Sequence, residues 1–343
     1  MKSNRLVSLV KGEDRYQNVY HAMEMIKPDL EPLKQKTNIL IKPNLLATRN
    51  SYANTHVLAI QAIIDFIAEY CDDFTNKNIV IFEGSAGAYY QKSSTKQVFA
   101  HFGYFELERI YKNVTLECIE DCSEFGPFEI RSIAGSEKVR LVDRVRDFDY
   151  IISVNLPKTH DYAIATLGIK NMIGLIKQED KSLMHGLRTP SALQGKSIFT
   201  FIPTWVISWA RRHASGVVNF LFKYLPTYRK GVKIIHHNIS TLAKLVWPDL
   251  VVLDGLYGME GNGPADGTPL RLNLAIASSD ALKADALGAR VMGFKPEEIG
   301  YLYYLNRQGL GDISLEGLVG VPLENAVIRF KPHSNYKIQR LWR

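Results

Sequence analysis

The chain has 343 residues, of which 46% are hydrophobic and 22% charged, and its formal net charge is +7. This composition is typical of a folded globular protein and excludes a disordered or low-complexity chain. No apolar run reaches the roughly 18–20 residues that cross a bilayer. The first ten residues lack the apolar core of a signal peptide, so we expect a cytoplasmic protein.

The cysteines argue against a disulfide framework and against a metal cluster. The chain has three cysteines, Cys71, Cys118 and Cys122. Three are too few to form a disulfide framework in a chain of this length, and they indicate a reducing compartment. Cys118 and Cys122 do not have the Cys-x-x-Cys spacing of a redox pair. We therefore expect no cysteine-ligated iron–sulfur cluster.

Strand and helix patterns alternate along the chain. Strands are predicted at residues 6–10, 38–41, 78–82, 114–118, 139–142, 150–154, 249–253 and 272–277. Helices are predicted at 14–25, 56–70 (with Thr55 as cap), 238–246, 279–293 and 296–305. This alternation predicts an α/β fold with a mostly parallel sheet and helices on both faces. No clean linker interrupts residues 1–343, so we expect one domain.

An insertion is expected within that domain, near residues 176–240. Residues 176–195 are polar and are typical of a loop able to cover a cleft. The segment 199–233 is aromatic and basic and predicts helices that dock on the core, form a homodimer contact or lie on a membrane surface. Residues 205–235 contain no acidic residue and carry the basic residues Arg211, Arg212, Lys223, Arg229, Lys230 and Lys233.

Polar residues follow several predicted strands at the point where each strand ends. The strand at 38–41 leads into Lys42-Pro-Asn44, and the strand at 150–154 leads into Asn155-Leu-Pro-Lys158-Thr-His160. Ligands of open α/β sheets bind just beyond the carboxyl ends of the strands. These segments are therefore candidates for a binding site, although a capped strand-to-helix loop has the same composition.

Three lysines in these segments suggest an anion. Lys170-Asn171 begins ten residues after His160, and the ammonium groups of Lys42, Lys158 and Lys170 would repel one another in a shared crevice. We expect a phosphate or carboxylate ligand there, oriented by Asn44, Asn155 and Asn171. The alternative is that each lysine pairs with a local acid such as Asp161, Asp254 or Asp285.

Two further groups are candidates for catalysis or metal binding. His160 can move a proton near neutral pH, or bind a metal together with His185. Asp254, Glu260 and Asp266 can offer oxygen ligands to a divalent cation, with Asn262 in the same loop, but the surrounding glycines equally suit a tight turn. His236 and His237 end a strand-like run and could join a metal site, but we expect them at the surface.

Four motifs resemble the DUF362 family. They are Ile-Lys-Pro-Asn at 41–44, Asn-Leu-Pro-Lys-Thr-His at 155–160, Leu-Gly-Ile-Lys-Asn-Met-Ile-Gly at 167–174, and Asp-Gly…Met-Glu-Gly-Asn-Gly-Pro…Gly-Thr-Pro at 254–269. The resemblance extends to Asp280-Ala-Leu-Lys-Ala-Asp285 and covers about residues 35–300. The family name records an unsettled function. Many members carry cysteine-rich iron–sulfur segments, which this chain lacks.

The stretch around His160 is also similar to lactate racemase-like enzymes, whose nickel-pincer nucleotide is held covalently by a lysine. In that family a histidine precedes the lysine by ten residues and a nickel-binding histidine follows it. Here His160 precedes Lys170 by ten residues and His185 follows it by fifteen. The resemblance implies that Lys170 carries the cofactor, His160 moves a proton and His185 binds nickel. The glycine-rich surround of that family's lysine is absent.

These observations favour an enzyme that acts on or through an anionic small molecule, either isomerase- or racemase-like or redox-associated. Lys42, Lys158 and Lys170 would bind charge, and His160 and Lys170 would be catalytic. The alternative is a non-catalytic module that binds anions or a membrane surface through residues 199–233. No nucleic-acid-binding motif is recognised, which argues against that partner.

Overall fold

The computed structural model describes residues 4–46, 48–86, 93–186 and 226–343, together with residues 209, 213, 214 and 217. The strands are β1 (Val7–Lys11), β2 (Asn38–Lys42), β3 (Asn78–Glu83), β4 (Val114–Cys118), β5 (Phe125–Ser132), β6 (Gly135–Val142), β7 (Tyr150–Asn155), β8 (Lys158–His160), β9 (Ile164–Thr166), β10 (Leu250–Glu260), β11 (Thr268–Ser278) and β12 (Leu318–Gly320).

The helices are α1 (Arg15–Glu24), α2 (Glu31–Lys34), α3 (Val57–Tyr70), α4 (Thr95–His101), α5 (Phe105–Ile110), α6 (Gly168–Asn171), α7 (Pro226–Ala243), α8 (Ala281–Val291), α9 (Gly300–Arg307) and α10 (Tyr336–Gln339). Short 3₁₀ helices connect several elements, and the longest of those described spans Gln178–His185.

One large mixed sheet forms the centre of the fold, in the order β12-β1-β11-β10-β7-β2-β3-β4. The strands from β10 to β4 in this order run parallel to their neighbours, whereas β11 is antiparallel to both β10 and β1. The short strands β8 and β9 attach beside β10, and β5 and β6 form a separate hairpin. The predicted α/β fold with a mostly parallel sheet is confirmed.

Helices cover both faces of the sheet, which explains why its inner strands are apolar throughout. In β2, Ile39 and Ile41 pack with α1, α3, α4 and α5, whereas Leu40 faces the opposite cluster formed with α6 to α10. Every residue of β7 is buried. The carboxyl ends of β2 and β7 therefore open at one edge, between the two helical layers.

Several element boundaries differ from the predictions. The strand predicted at 249–253 does not end before Asp254; β10 continues to Glu260 because β11 pairs with it in a long antiparallel hairpin. Helix α3 is capped by the side chain of His56 rather than by Thr55. The Thr55 hydroxyl instead accepts from the backbone N–H of Asn44 and donates to the Val154 carbonyl. No helix within the described ranges is long and apolar enough to span a membrane.

The second half of the expected insertion is a helix rather than a strand-like run. Helix α7 extends over residues 226–243, and His236 within it is buried, so both the strand-like interpretation and the surface placement were wrong for that residue. The helix buries Tyr228 and Val232 and exposes Arg229, Lys230 and Lys233. Arg211, Arg212 and Lys223 lie outside the described residues.

Candidate functional site

The candidate site lies where β2 and β7 end side by side. The two strands are parallel neighbours, and Lys42 is in register with Ser153. The chain that leaves β7 returns as β8 and β9, a short hairpin that leads into α6. Segments far apart in sequence thus bring Lys42, Lys158 and Lys170 to one edge of the sheet.

Lys42 is fully buried and forms an ion pair with a carboxylate that the sequence predictions did not include. Its Nζ lies 2.5 Å from Oε1 of Glu83, the last residue of β3, and it donates to the Pro43 carbonyl at 2.8 Å. Burial lowers the pKa of Lys42, while Glu83 acts in the opposite direction. The position of Glu83 at a strand end next to Gly84 was the signal that could have identified it.

A glycine is required beside this ion pair. A Cβ added to Gly174 would lie 2.5 Å from Lys42 Nζ and 2.6 Å from Glu83 Oε1. Contacts this short force a shift of the surrounding atoms. The last glycine of the 167–174 motif is therefore explained by its close approach to the buried ion pair.

Two asparagines connect the lysines. The side-chain oxygen of Asn171 accepts from Asn44 Nδ2 at 2.9 Å and from Lys42 Nζ at 3.5 Å. The Asn171 amide nitrogen donates to the Lys42 carbonyl and to the Ser153 hydroxyl. The oxygen of Asn44 in turn accepts from Lys158. Asn44 and Asn171 thus hold the ends of β2, β7 and β8 together through one continuous network.

Lys158 is fully buried, and the described residues offer its ammonium neutral oxygens. It donates to Asn44 Oδ1 at 2.5 Å and to the Ala53 carbonyl at 2.6 Å. None of the described residues places a carboxylate within ion-pair distance of it. Burial lowers its pKa well below the ordinary value, and the nearby charge of Lys170 lowers it further.

Lys170 lies on α6, and its ammonium makes no hydrogen bond or ion pair within the described part of the chain. Its side chain is buried, and burial lowers its pKa to about 8, with Asp161 opposing that shift. An amine with this pKa is substantially neutral near pH 8. It is therefore available as a nucleophile or as a proton carrier.

Asp285 on α8 positions the helix that carries Lys170. Its carboxylate accepts from the backbone N–H groups of Gly168 at 2.7 Å and of Ile169 at 3.0 Å. Burial raises the pKa of Asp285 to about 7. Asn155 also contacts the start of this helix, because its side-chain amide nitrogen donates to the Leu167 carbonyl. Its side-chain oxygen accepts from the backbone N–H of Leu156. Asn155 is thus held by backbone groups at the edge of the site.

His160 ends β8 and is buried beside the lysines. Its Nδ1 accepts from the backbone N–H groups of Tyr162 at 3.0 Å and Ala163 at 3.2 Å. Asp161 Oδ1 also lies 3.2 Å from Nδ1, a contact that is an ion pair only if the ring is charged. Burial lowers the pKa of His160 well below its usual value, with Lys170 adding to that effect, so the ring is neutral and its proton is on Nε2.

The structure does not arrange His160 and His185 as a shared metal site. Their rings stack at 5.7 Å with an angle of 11° between the planes, so their in-plane lone pairs do not point at a common atom. No group of three or more histidine, cysteine or acidic side chains that could hold a metal occurs among the described residues. The imidazoles therefore fit a nickel ligand set poorly, although Lys170 suits a covalently held group.

The acidic residues of the 254–269 segment contact partners other than the three lysines. Asp254 forms an ion pair with Arg15 at 2.8 Å, and Asp266 pairs with Arg49 at 2.7 Å. Glu260 accepts from the backbone N–H of Lys331, and Asn262 accepts from Ser334. Each of Asp254, Glu260 and Asn262 thus contacts a different neighbouring segment, and their role at the ligand stays a prediction.

The 3₁₀ helix at Gln178–His185 adds a lysine that the predictions did not single out. Lys181 donates to the Gly84 carbonyl at 2.5 Å and to Gln178 at 2.7 Å. Burial lowers its pKa to about 8, and Glu83 and Lys42 also act on it. This segment borders the site through both Lys181 and His185, so part of the predicted covering loop lies next to the lysines.

Fold and site together define an α/β protein with buried lysines joined by asparagine side chains at the carboxyl ends of parallel strands. The chain belongs to the family described as a domain of unknown function, DUF362, which it matches over residues 39–290. That range includes all the site residues from Lys42 to Asp285. The predicted family membership is confirmed.

Two individual proteins are also similar to the chain. The thylakoid-associated protein sll1697 of Synechocystis sp. is 25% identical over 178 residues, which are 52% of this chain and 43% of that protein. The chain thus matches less than half the length of this relative. The lactate racemase apoprotein from Thermoanaerobacterium thermosaccharolyticum is 12% identical, with a TM-score of 0.47, over 84% of this chain and 57% of the racemase.

Proposed function

We propose that this protein is an enzyme that binds an anionic small molecule, a phosphate or a carboxylate, at the carboxyl ends of β2, β7 and β8. The observation that carries the proposal is the environment of Lys158. Its ammonium is buried and, among the residues that the structure describes, donates to a neutral amide oxygen and a carbonyl and to no carboxylate. A buried cation without an opposite charge is costly, and a bound anion removes that cost.

The surrounding charges support the same conclusion. The charges of Lys170 and Lys42 act on Lys158 and lower its pKa. Among the described residues, Lys42 has an ion-pair partner in Glu83, and Lys181 is under the influence of the acids Glu83, Glu120 and Glu179. Asp161 acts on Lys170 from a greater distance. Lys158 and Lys170 have no ion-pair partner among the described residues, and a phosphate or carboxylate beside them would supply one.

His160 supports a catalytic role rather than simple storage of an anion. With Nδ1 engaged by two backbone N–H groups, the neutral ring presents Nε2–H as a donor. Such a donor stabilises negative charge that develops on a ligand oxygen, and Lys170 beside it can take up or release a proton near pH 8. We propose Lys158 as an anion-binding residue, and His160 and Lys170 as the catalytic residues.

Thermal unfolding with and without anions tests the binding step. Sodium phosphate should stabilise the wild-type protein relative to sodium chloride of equal ionic strength, by about 2.7 kcal/mol at a hundred times the dissociation constant. Lys158→Met should lose this stabilisation. Lys138→Met, which changes an exposed lysine on β6, should keep it. The proposal fails if neither phosphate nor any small carboxylate stabilises the wild-type protein.

A further inference from the structure

Four buried side-chain atoms on β9, α7, α9 and α10 have no hydrogen-bond partner among the described residues. They are Thr166 Oγ1, His236 Nε2, the hydroxyl oxygen of Tyr301 and Gln339 Oε1. Each of these side chains is at most 3% exposed. A buried polar atom without a partner costs about 1–3 kcal/mol, and native proteins contain few of them. Four in one region therefore require an explanation.

Direct contacts connect His236 with Tyr301. The backbone N–H of Tyr301 donates to His236 Nδ1 at 3.2 Å, and the two rings stack with their centroids 6.1 Å apart. Gly300 permits this approach, because a Cβ there would lie 2.6 Å from His236 Cγ. With Nδ1 accepting a hydrogen bond, the proton of the neutral ring is on Nε2. The unpartnered nitrogen is therefore a donor.

Three of these residues, Thr166, His236 and Gln339, are linked to the proposed site. Thr166 is in register with Lys158 on β8. Burial, aided by the charge of Lys170, lowers the pKa of His236 to about 3. Gln339 on α10 donates from Nε2 to the His160 carbonyl at 2.8 Å, which leaves its Oε1 without a partner. Thr166 ends β9, four residues before Lys170. Helices α7, α9 and α10 thus bring unpartnered polar atoms to the neighbourhood of His160 and Lys170.

The chemistry of these atoms is polar and uncharged. They offer an N–H donor, an amide oxygen that accepts, and two hydroxyl groups that do either. The ammonium of Lys170 adds a donor with no partner in the described structure. This set complements the hydroxyl and carbonyl groups of a ligand. A hydroxyl group both donates and accepts hydrogen bonds, and a carbonyl group accepts them. The four side chains themselves carry no cation that could bind an additional phosphate.

We propose that Thr166, His236, Tyr301 and Gln339 form a subsite for the uncharged part of the ligand, so that the ligand is a hydroxyl- or carbonyl-bearing phosphate or carboxylate. The subsite rests on the proposed function, because it extends the same ligand beyond the anion held near Lys158. It divides recognition between lysines for the charged group and neutral donors and acceptors for the remainder.

Matched pairs of probes test the subsite. Ribose 5-phosphate and n-pentyl phosphate carry the same charged group with and without hydroxyls, as do gluconate and hexanoate. Isothermal titration of the wild-type protein should show about tenfold or greater preference for the hydroxylated member of at least one pair, the contribution of one good hydrogen bond. Equal affinities within both pairs would overturn the subsite and leave the anion site standing.

Two variants assign the preference to these residues. Tyr301→Phe and Thr166→Val each remove an unpartnered hydroxyl with little change of shape. Each should reduce the preference about fivefold to tenfold, without weakening the aliphatic probe and without lowering the stability of the ligand-free protein. Tyr304→Phe, on the same helix but only partly buried, should change neither. Equal weakening of both members of a pair by Tyr301→Phe would contradict the subsite.

The results separate the two proposals. If no member of either pair binds the wild-type protein, the anion site itself is wrong and the subsite falls with it. If the aliphatic probes bind and Lys158→Met abolishes their binding, the anion site is supported, whether or not the hydroxylated member of each pair binds more tightly.

Discussion

The ammonium group of Lys158 donates to the side-chain oxygen of Asn44 at 2.5 Å, across 114 residues of sequence. Lys42, next to that asparagine in space, instead has Glu83 as its partner. Two buried lysines at one strand edge thus have different electrostatic environments. One is neutralised within the protein, and the other is in contact only with neutral groups.

This difference predicts a large loss of stability from a lysine-to-methionine substitution at one position and a small change at the other. Lys42→Met should lower the free energy of unfolding by about 3–5 kcal/mol, because it leaves the buried Glu83 carboxylate without its cation. Lys158→Met should change it by no more than about 1 kcal/mol in the absence of anions, because relief of the buried charge offsets two lost hydrogen bonds. Urea unfolding at pH 7 measures both. Similar losses in the two variants would contradict the assignment.

Lys170 should make stability depend on pH in the alkaline range. Burial lowers its pKa to about 8 in the folded protein, whereas a lysine in an unfolded chain titrates near about 10.4. Between these values the unfolded chain binds a proton that the folded protein does not. The penalty on folding is therefore complete below pH 8 and disappears as the pH rises towards 10.4.

Lys170→Met should remove this dependence. At pH 7 the variant should be more stable than the wild-type protein by up to about 3 kcal/mol, and the difference should shrink to near zero at about pH 10.5. Urea unfolding of both proteins across this range provides the measurement. A difference that stays constant with pH would show that Lys170 is not the titrating group.

His160 should remain neutral below the usual pKa of histidine. Burial and the neighbouring charges lower its pKa, and Nδ1 accepts two backbone N–H groups. In protein labelled with ¹⁵N-histidine, the His160 signals should show the Nε2–H tautomer from pH 8 to pH 5, with His160→Gln used for assignment. A doubly protonated ring at pH 6 would instead favour the ion pair with Asp161.

Asp285 should be needed for the placement of Lys170 and Asn171. Asp285→Ala leaves two buried N–H groups at the start of α6 without acceptors, and each costs about 1–3 kcal/mol. We expect the free energy of unfolding at pH 6 to fall by about 2 kcal/mol or more, and the stabilisation by phosphate to weaken. Unchanged phosphate stabilisation in a folded Asp285→Ala variant would show that α6 does not position the anion site.

Much of the fold and part of the site follow from local sequence patterns. Parallel strands covered on both faces are continuous apolar runs, so the polar residues Lys42 and Asn155 identify the ends of β2 and β7 from the sequence alone. Parallel order then places such ends at one edge. This reasoning brings Lys42, Asn44, Lys158 and Asn171 together, as the structure does.

The remaining errors have physical causes. The apolar pair before His236 suggested a strand, but the buried residues Tyr228, Val232, Ile235 and Ile239 recur at helical spacing from the start of α7. The predicted strand ended before Asp254, whereas β10 continues to Glu260. The pairing of β10 with β11 depends on tertiary contacts, which the local sequence pattern does not contain. The partners of Glu83 and Asp285 are distant in sequence and could not be predicted for the same reason.

Strand β1 lies between β11 and β12 in the sheet and is hydrogen-bonded to both. Its neighbours are formed by residues 268–278 and 318–320, so during synthesis β1 leaves the ribosome long before either neighbour exists. Contacts between segments so far apart in sequence form slowly, and until they form the unpaired apolar strand β1 can aggregate. The yield of folded protein from the nascent chain should therefore depend on chaperones that shield Val7 to Val10.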